Sequence, residues 1–388
     1  MIAKKQDIKQ EFSRIYPSGT DVAVVRAPGR VNLIGGHTDY NGGFVLPAAL
    51  ECEIVMAGQR REDREVSVYS DNMKEKAAFA LDKIEYDDNM QWVNYIKGVV
   101  FILKGRGIEL DGANIFISGN IPIGAGLSSS AAVEVATALL FQEVSGFFLN
   151  PVDMAKLCQR AENEFVGMKC GLMDQFVCCL GRKTNALFLD CLMEKYEFVP
   201  LPENINVVAC NTGVSRKLSQ SGYNTRRKEC EEGIGILREF IPGAQNLREV
   251  CVSDFERFKE HLSPVIRKRC EHVIYENERV LHAVDALKKK NISKFGELME
   301  ESHASLRDKY EVSCPELDLM VKIGQSVDGC FGSRMTGAGF GGCTVNIVEK
   351  GVVPEFRKKV REEYFKKTGI EPDIYISEPV DGAGLLTG

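Results

Sequence analysis

The sequence predicts a mixed α+β protein built from two domains. Its 388 residues exceed the roughly 150 expected for one domain. Short β-branched segments alternate with segments of helical periodicity, and the alternation resumes in the second half of the chain. Hydrophobic residues make up 44% of the chain and charged residues 27%, which is typical of a folded globular protein. Collagen-like, low-complexity and disordered chains are therefore excluded.

The elements follow from local pattern. We expect strands at 22–26, 113–118, 186–189 and 206–210, where short apolar runs rich in β-branched residues occur. We expect helices at 91–104, 130–144 and 151–164, delimited by stop or cap residues: Gly105, Gly146 and the pair Asn150-Pro151. A long helix should follow Ser263-Pro264, with one face made of Val265, Ile266, Val273, Ile274, Val280, Leu281 and Val284. We place the domain boundary near 195, giving domains 1–195 and 196–388.

Charge and cysteine usage restrict the partners and the compartment. The formal net charge of −6 gives the chain no general attraction to nucleic acid or to an anionic membrane. The 13 cysteines are scattered without a CxxC pair, so we interpret them as buried thiols in a reducing compartment. The N-terminal segment MIAKKQDIKQEF has no apolar stretch typical of a signal peptide. We therefore expect a cytoplasmic protein without a nucleic acid, membrane or obligate protein partner.

One glycine- and serine-rich segment is a candidate anion site. Residues 121–132 read IPIGAGLSSSAA, between a predicted strand and a predicted helix. Gly124 and Gly126 allow close approach of backbone to a ligand, and the helix N-terminus presents unpaired N–H groups. The three serines offer hydroxyls to phosphate oxygens or to Mg²⁺. The segment is not a Walker A loop, and a simple glycine turn before a serine-capped helix stays an equal alternative.

Two further glycine-rich segments are candidates: one contains polar side chains, and the other contains closely spaced glycines. In 26–47, Arg30, His37 and Asp39 lie in a glycine-rich stretch, and Asn41-Gly42 between apolar runs predicts a hairpin turn. Without other evidence, Asp39 capping a turn and Arg30 in a surface ion pair is the favoured interpretation. In 332–343, the four glycines between 337 and 342 indicate tight packing against another segment or against a nucleotide.

Two carboxylates complete the candidate chemistry. Glu162 lies on the helix that begins at Pro151, and Asp174 follows a loop with Gly167 and Gly171. One carboxylate for a metal and one to orient a hydroxyl is the minimal equipment of phosphoryl transfer. Either residue alone would more often be a solvated charge or a helix cap, so the combination carries the argument.

Taken together, these segments resemble the galactokinases of the GHMP kinase superfamily. The matching stretches run in family order from residue 26 to 345: APGRVNLIG, HTDYNGGFVLP, PIGAGLSSSAA, QRAENEFVG, CGLMDQF, NTGVSRKLSQSGYNTRRKEC and GSRMTGAGFGGCTV. The resemblance implies a ribosomal S5 domain 2-like N-terminal domain, a ferredoxin-like C-terminal domain and an active site between them. It also implies ATP-dependent phosphorylation of D-galactose at the 1-hydroxyl, in galactose catabolism.

The resemblance further implies a role for each matching residue. Asp174 would be the catalytic base, and Arg30 would stabilise the transferring phosphoryl group and keep Asp174 ionised. Ser130 and Glu162 would hold Mg²⁺. ATP would contact Trp92 beside its adenine and the loop residues Gly124, Ala125, Gly126, Leu127, Ser128, Ser129 and Ser130 around its phosphates. The sugar would contact Gly36, His37, Asp39 and Tyr223, and Gly337 to Gly342 would line the site.

One position departs from the family pattern. Galactokinases normally read G-E-H-T-D-Y, with the glutamate taken to bind a sugar hydroxyl, probably at C6, whereas this chain has Gly36 there. Losing a charge-assisted hydrogen bond costs roughly 1.5–3 kcal/mol of binding. A related sugar 1-kinase acting on galacturonate or arabinose therefore stays an alternative. A non-catalytic galactose sensor is a weaker one, because 128–132, Arg30 and Asp174 are intact.

Overall fold

The computed structural model describes residues 5–17, 21–122, 124–214 and 219–386, with side chains from residue 7 in the first range and from 222 in the last. The strands are β1 Ala23–Asn32, β2 Phe44–Val45, β3 Pro47–Arg61, β4 Glu65–Ser70, β5 Glu75–Ala80, β6 Gly112–Gly119, β7 Asn185–Asp190, β8 Lys195–Pro200, β9 Ile205–Asn211, β10 Cys330–Met335, β11 Cys343–Glu349, β12 Asp373–Ser377 and β13 Gly384–Leu385. The helices are α1 Lys5–Ile15, α2 Asn94–Gly105, α3 Ser129–Ser145, α4 Pro151–Arg160, α5 Met173–Leu180, α6 Ser219–Leu237, α7 Val252–Phe258, α8 Pro264–Lys288, α9 Ile292–Ser305, α10 Pro315–Gln325 and α11 Val353–Thr368. The fold is therefore a mixture of helices and strands, as predicted.

Three sheets organise these elements. The first half supplies five strands of a six-stranded sheet, whose order is β13-β1-β3-β6-β4-β5. The second half supplies a four-stranded sheet in the order β10-β11-β9-β12. A small sheet, β2-β7-β8, contains the strand at which the predicted domain boundary falls, since β8 begins at residue 195. The boundary stays a prediction. The last strand, β13, returns to the first sheet and pairs with β1.

The core of the N-terminal half lies between its large sheet and helix α3. This helix is apolar over almost its whole surface, and it is accordingly buried from Ala131 to Phe141 with only Val133 partly exposed. It packs on β1 and β3, where Gly58 leaves room for it, because a Cβ there would lie 2.7 Å from Leu140 Cδ2. Close packing at this point holds the C-terminal part of α3 against the sheet.

Most predicted boundaries agree with the structure to within a few residues. The helix after Asn150 begins as expected, since Asn150 Oδ1 accepts a 3.0 Å hydrogen bond from the Asp153 N–H. It becomes a π-helical turn over Ala161–Val166 before Gly167 ends it. The predicted 91–104 helix starts with a short 3-10 turn, Gln91–Val93, and continues as α2.

Three expectations are wrong in detail. Asn41-Gly42 does not form a two-residue hairpin turn. The two residues end a 3-10 turn, which lies within the longer connection between β1 and β3. These two strands do pair antiparallel. Val265 and Leu281 of α8 are 48% and 39% exposed, since successive helical residues point about 100° apart and one member of each apolar pair turns to solvent. All 13 cysteines are free, but Cys251 is exposed.

The helices of the described ranges contain no segment with the length and apolar character needed to cross a bilayer.

Candidate active site

A cavity of about 900 Å³ opens between the N-terminal sheet and elements of the second half. It brings together most of the residues singled out in the sequence: Arg30, Gly36, His37, Asp39, Trp92, Gly124, Ala125, Gly126, Ser128, Ser129, Ser130, Glu162, Asp174, Tyr223 and Gly337. Of the predicted site residues, Leu127 does not line it. The Leu127 side chain is fully buried in the core, and its carbonyl accepts the Arg30 N–H at 3.1 Å.

A buried ion pair lies at the centre of the cavity. Arg30 Nε and Nη2 donate to Asp174 Oδ1 and Oδ2 at 2.7 and 2.6 Å, a two-point contact that fixes both planar groups. The third donor of Arg30, Nη1, reaches Gly126 O at 2.7 Å. The Ser128 hydroxyl donates to Asp174 Oδ2. The Asp174 side chain is 24% exposed and that of Arg30 only 6%. The carboxylate therefore faces the cavity, and the buried guanidinium holds it in place.

The predicted anion loop lies beside this pair. Gly124, Gly126 and Ser128 have φ values of 74°, 81° and 59°, so the backbone turns tightly before α3 begins at Ser129. The N–H groups of the first turn of an α-helix have no partner within the helix, so those of α3 could bind an anion. The loop and Asp174 are therefore joined through Arg30 and Ser128.

A carboxylate and a hydroxyl adjoin the same helix end. Burial raises the pKa of Glu162 to about 7, and the Ser130 hydroxyl is one of its hydrogen-bond partners. Gln175 Nε2 donates to Glu162 Oε2 at 2.7 Å and to Glu134 Oε2 at 3.0 Å, which fixes the Glu162 side chain. A carboxylate oxygen and a hydroxyl oxygen are of the hard-oxygen ligand type that Mg²⁺ takes, and a bound cation would favour the ionised form of Glu162. In the described ranges no three His, Cys, Asp or Glu side chains cluster as a self-contained metal site.

The opposite end of the cavity contains three of the predicted sugar-binding side chains. His37 and Tyr223 have ring centroids 5.8 Å apart, and His37 Nδ1 lies 2.9 Å from Tyr40 Oη. Burial, with the His272 charge second, lowers the pKa of His37 to about 3, so the imidazole is neutral. Asp39 packs against Gly171, where a Cβ would lie 2.0 Å from Asp39 Oδ2. Burial and then the Asp174 charge raise the pKa of Asp39 to about 6.

Gly36 lines this same end, with a second arginine directly behind it. An ideal Cβ at position 36 would lie 2.6 Å from Arg334 Nη2 and 3.1 Å from a Leu306 methyl group. The Gly36 carbonyl is 2.9 Å from His272 Nε2, and its N–H donates to Glu276 Oε1 at 3.1 Å. The glycine is therefore held on both sides by side chains from the second half of the chain.

The segment 337–342 contributes both to the wall of the cavity and to a packing contact with another part of the chain. Gly337 and Ala338 line the cavity. Gly339 and Gly341 pack instead against backbone, since Cβ atoms there would lie 2.2 Å from Val312 O and 2.9 Å from Val214 O. Phe340 N donates to Val312 O at 2.7 Å. This segment is thus partly a wall of the cavity and partly a packing contact.

Several cavity residues were not singled out from the sequence: Asn32, Tyr40, Ser70, Asn72, Tyr95, Asn211 and Asn224. Tyr40, Asn32, Asn211 and Asn224 belong to stretches that carry the family resemblance and were within reach of motif reasoning. Asn72 comes from the loop after β4, and no local pattern distinguishes it from an ordinary loop residue. Only the fold brings it to the cavity.

Comparison with known proteins finds relatives over nearly the whole chain. The family models "Galactokinase galactose-binding signature", "GHMP kinases N terminal domain" and "GHMP kinases C terminal" match residues 10–60, 94–182 and 283–366. The chain is 44% identical over 380 residues to galactokinase of Roseiflexus sp., covering 98% of this chain and 97% of that one. It is also 44% identical over 386 residues to galactokinase of Fusobacterium nucleatum, covering 98% and 99%.

Solved structures are similar as well. A Lactococcus lactis galactokinase complexed with galactose has a TM-score of 0.94 at 36% identity, covering 98% of this chain and 99% of that one. Methanococcus jannaschii mevalonate kinase, with a TM-score of 0.65 at 21% identity over 94% and 100%, shares the fold alone. This chain, with its two-domain α+β fold, belongs to the galactokinase family of ATP-dependent sugar kinases in the GHMP superfamily.

Proposed function

We propose that the chain transfers the γ-phosphoryl group of ATP to the 1-hydroxyl of D-galactose, giving galactose 1-phosphate and ADP. The observation that carries the proposal is the position of Arg30. Its guanidinium bonds both to Gly126 of the anion loop and to the Asp174 carboxylate, which faces the cavity. A phosphoryl donor and a hydroxyl acceptor would thus meet at one charged group. We place the reaction in the cytoplasm, because 13 free thiols fit a reducing compartment. Membership of the galactokinase family supports a place in galactose catabolism.

In the proposed reaction the O1–Pγ bond forms while the bond from Pγ to the bridging oxygen of ADP breaks. The transition state is loose, so the hydroxyl proton can leave late. Asp174 orients the hydroxyl and accepts that proton, which then passes to solvent. Arg30 is held by two bonds to Asp174 and so needs no reorganisation as charge moves onto the phosphoryl oxygens.

The anion loop and Glu162 would serve the nucleotide. Backbone N–H groups of 124–130 would bind the phosphate oxygens. The Ser130 hydroxyl and the Glu162 carboxylate would hold Mg²⁺, which when bound neutralises charge on the β- and γ-phosphates. Trp92 lies in the cavity wall with its indole N–H donating to Glu75 at 2.8 Å, which orients the ring where we expect adenine.

The proposal is tested by following ADP release with ATP and Mg²⁺ against D-galactose, D-galacturonate, N-acetylgalactosamine, arabinose and glucose. We expect turnover with galactose, and a product phosphorylated at C1 by ³¹P NMR. Galactose binding without any sugar turnover would instead support the sensor alternative. Turnover of arabinose alone would overturn the assignment of galactose as substrate.

We expect Glu162→Gln to weaken metal binding by at least about tenfold, because the carboxylate is the charged member of the oxygen pair. Mn²⁺ titration of the protein–ADP complex by electron paramagnetic resonance measures this without turnover. Glu164→Gln is the matched control, since Glu164 lies in the same π-helical turn but pairs with Arg160 at the surface. Equal Mn²⁺ affinity in both variants would contradict the role of Glu162.

We expect galactose binding to strengthen about tenfold between pH 5 and pH 7. The pKa of Asp39 is raised to about 6, so its ionised fraction rises from about one tenth to nine tenths over this range. The ionised carboxylate accepts hydrogen bonds from sugar hydroxyls on both oxygens, whereas the protonated form carries a donor O–H on one of them. Calorimetric titration without nucleotide or metal measures the affinity, and Asp39→Asn should flatten the profile. A slope that persists in Asp39→Asn would assign the titration to another group.

A further inference from the structure

Helix α8 contains two buried polar side chains that the proposed reaction does not use, His272 and Glu276. They are one helical turn apart, so they lie on the same side of the helix. Neither is among the residues that line the cavity in the described ranges. Buried polar groups are costly unless they are hydrogen-bonded, so the partners of these two indicate what they do. We call the pair the α8 clamp.

The clamp contacts the segment 35–44, which we call the sugar loop. This loop contains the predicted sugar-binding residues Gly36, His37 and Asp39, all of which line the cavity. Its backbone is unusual, because Gly35 has a φ of 94° and His37, which carries a side chain, has a φ of 61°. A left-handed conformation is disfavoured for a residue other than glycine and persists only where its surroundings hold it. The sugar loop therefore needs support from outside itself.

The α8 clamp supplies this support through backbone hydrogen bonds just before His37. Glu276 Oε1 accepts hydrogen bonds from the N–H groups of Gly35 and Gly36 at 3.0 and 3.1 Å. His272 Nε2 donates to the Gly36 carbonyl oxygen at 2.9 Å. The peptide groups on both sides of Gly36 are thus bonded to a helix from the second half of the chain.

The clamp is itself fixed in the protonation state that these bonds require. The Ser305 hydroxyl lies 2.8 Å from His272 Nδ1, and Arg279 Nε donates to Glu276 Oε2 at 2.7 Å. Burial lowers the pKa of His272 to about 4, so the imidazole is neutral. Burial alone would raise the pKa of Glu276, but the neighbouring charges, that of Arg279 foremost, hold it well below its usual range. An ionised acceptor therefore meets the loop N–H groups, and a neutral donor meets the carbonyl.

His272 also contacts the His37 ring through one intermediate side chain. The ring centroids of His272 and Tyr310 are 4.6 Å apart, and those of Tyr310 and His37 are 4.9 Å apart. Tyr310 is fully buried, so it transmits the position of one imidazole to the other by close packing. The clamp thus restrains both the backbone before His37 and its ring.

We propose that His272 and Glu276 are positioning residues for the sugar: they hold the sugar loop in its left-handed conformation and thereby strengthen galactose binding. The inference rests on the proposed function, because it takes the loop 35–44 as the sugar-binding segment. Without the clamp the loop would relax, and His37 and Asp39 would have to be ordered again at each binding event, which lowers affinity. The transfer step, once the sugar is bound, should be affected much less.

The first test is calorimetric titration of D-galactose into His272→Phe without nucleotide. Phenylalanine keeps a ring against Tyr310 and removes the donor to the Gly36 carbonyl. We expect galactose affinity to fall about tenfold, near the upper range for one lost hydrogen bond. The KM for galactose should rise by the same factor, with kcat and ATP affinity unchanged. His282→Phe is the matched control, because His282 is exposed on the same helix and should bind galactose like wild type.

Hydrogen exchange read by mass spectrometry separates positioning from general destabilisation. In His272→Phe we expect faster exchange in the sugar loop, unchanged exchange in α3, and recovery of loop protection at saturating galactose. Ser305→Ala is a milder variant that only removes the partner of His272 Nδ1, and it should shift loop exchange and galactose affinity in the same direction by less. It decides the question alone if His272→Phe fails to fold by circular dichroism.

Galactose affinity equal to that of wild type in a folded His272→Phe would overturn the positioning role and leave the proposed function standing. Weaker binding with unchanged exchange in the sugar loop would overturn it too, as would a Ser305→Ala variant identical to wild type in both measurements when His272→Phe does not fold. Failure of wild type to bind galactose would instead overturn the proposed function, and with it the role of the clamp toward the sugar.

Discussion

Replacing Asp174 by Asn is expected to reduce galactose turnover by about 10³-fold, within the range that a positioned proton acceptor contributes. The amide keeps the shape of the carboxylate and can still accept a hydrogen bond from Arg30. It cannot accept the proton of the sugar hydroxyl, and it leaves Arg30 without its opposite charge. Turnover should therefore fall, while the backbone N–H groups of the anion loop and the Glu162 carboxylate keep their ability to bind nucleotide. An Asn at position 174 can still accept the hydrogen bond that the Ser128 hydroxyl of this loop donates to Asp174.

Single-turnover phosphoryl transfer measured by rapid quench, together with calorimetric ATP binding, separates these effects. Asp88→Asn is a suitable control, because Asp88 is exposed in the loop before α2 and lies outside the cavity lining. Single-turnover rates near those of wild type in Asp174→Asn would show that another group orients the hydroxyl. Loss of ATP binding in the same variant would show that Asp174 acts by holding the loop.

The second large effect is expected at Arg30. Arg30→Met should lower kcat by about 10³-fold or more, the range found for arginines that stabilise a transferring phosphoryl group. The charge is most useful as the γ-phosphate detaches, so KM for ATP should change much less than kcat. Arg30→Lys should recover only part of the rate, because an ammonium lacks the planar fork that meets Asp174 at two points.

Steady-state kinetics of Arg30→Met, with the concentrations of both substrates varied, measures the change in kcat separately from the change in KM for ATP. Arg26→Met is the matched control on the same strand, since Arg26 pairs with Glu53 at 3.1 Å and does not line the cavity. A rise in KM for ATP with kcat preserved would mean that Arg30 binds the ground-state nucleotide and gives no selective help to the transition state.

The sequence predicted those parts of the fold that local chemistry determines. Helix α3 is an example, because its apolar composition, the glycines before it and Gly146 after it each act within a few residues. The cap of α4 by Asn150 is another. The motifs with resemblance to the family placed Arg30, Asp174 and Glu162 in one site, and the fold does bring them to one cavity.

The remaining contacts depend on residues far apart in the chain. Ser128 was predicted as a phosphate ligand, yet its hydroxyl is hydrogen-bonded to Asp174, 46 positions away. The clamp on Gly36 by Glu276 joins residues separated by 240 positions. Neither hydrophobic periodicity nor the spacing of residues along the chain predicts a contact between residues so far apart. Asn41-Gly42 shows the same limit, since a local turn signal cannot say which strands will pair around it.

The position of Trp92 has a practical consequence. It is the only tryptophan of the chain, so all tryptophan emission comes from one point in the cavity wall, beside Glu75. We expect its fluorescence to change when nucleotide enters the cavity, without any label or engineered residue. Stopped-flow traces recorded with and without sugar would then distinguish random from ordered binding of the two substrates, and so set the sequence of events that precedes transfer.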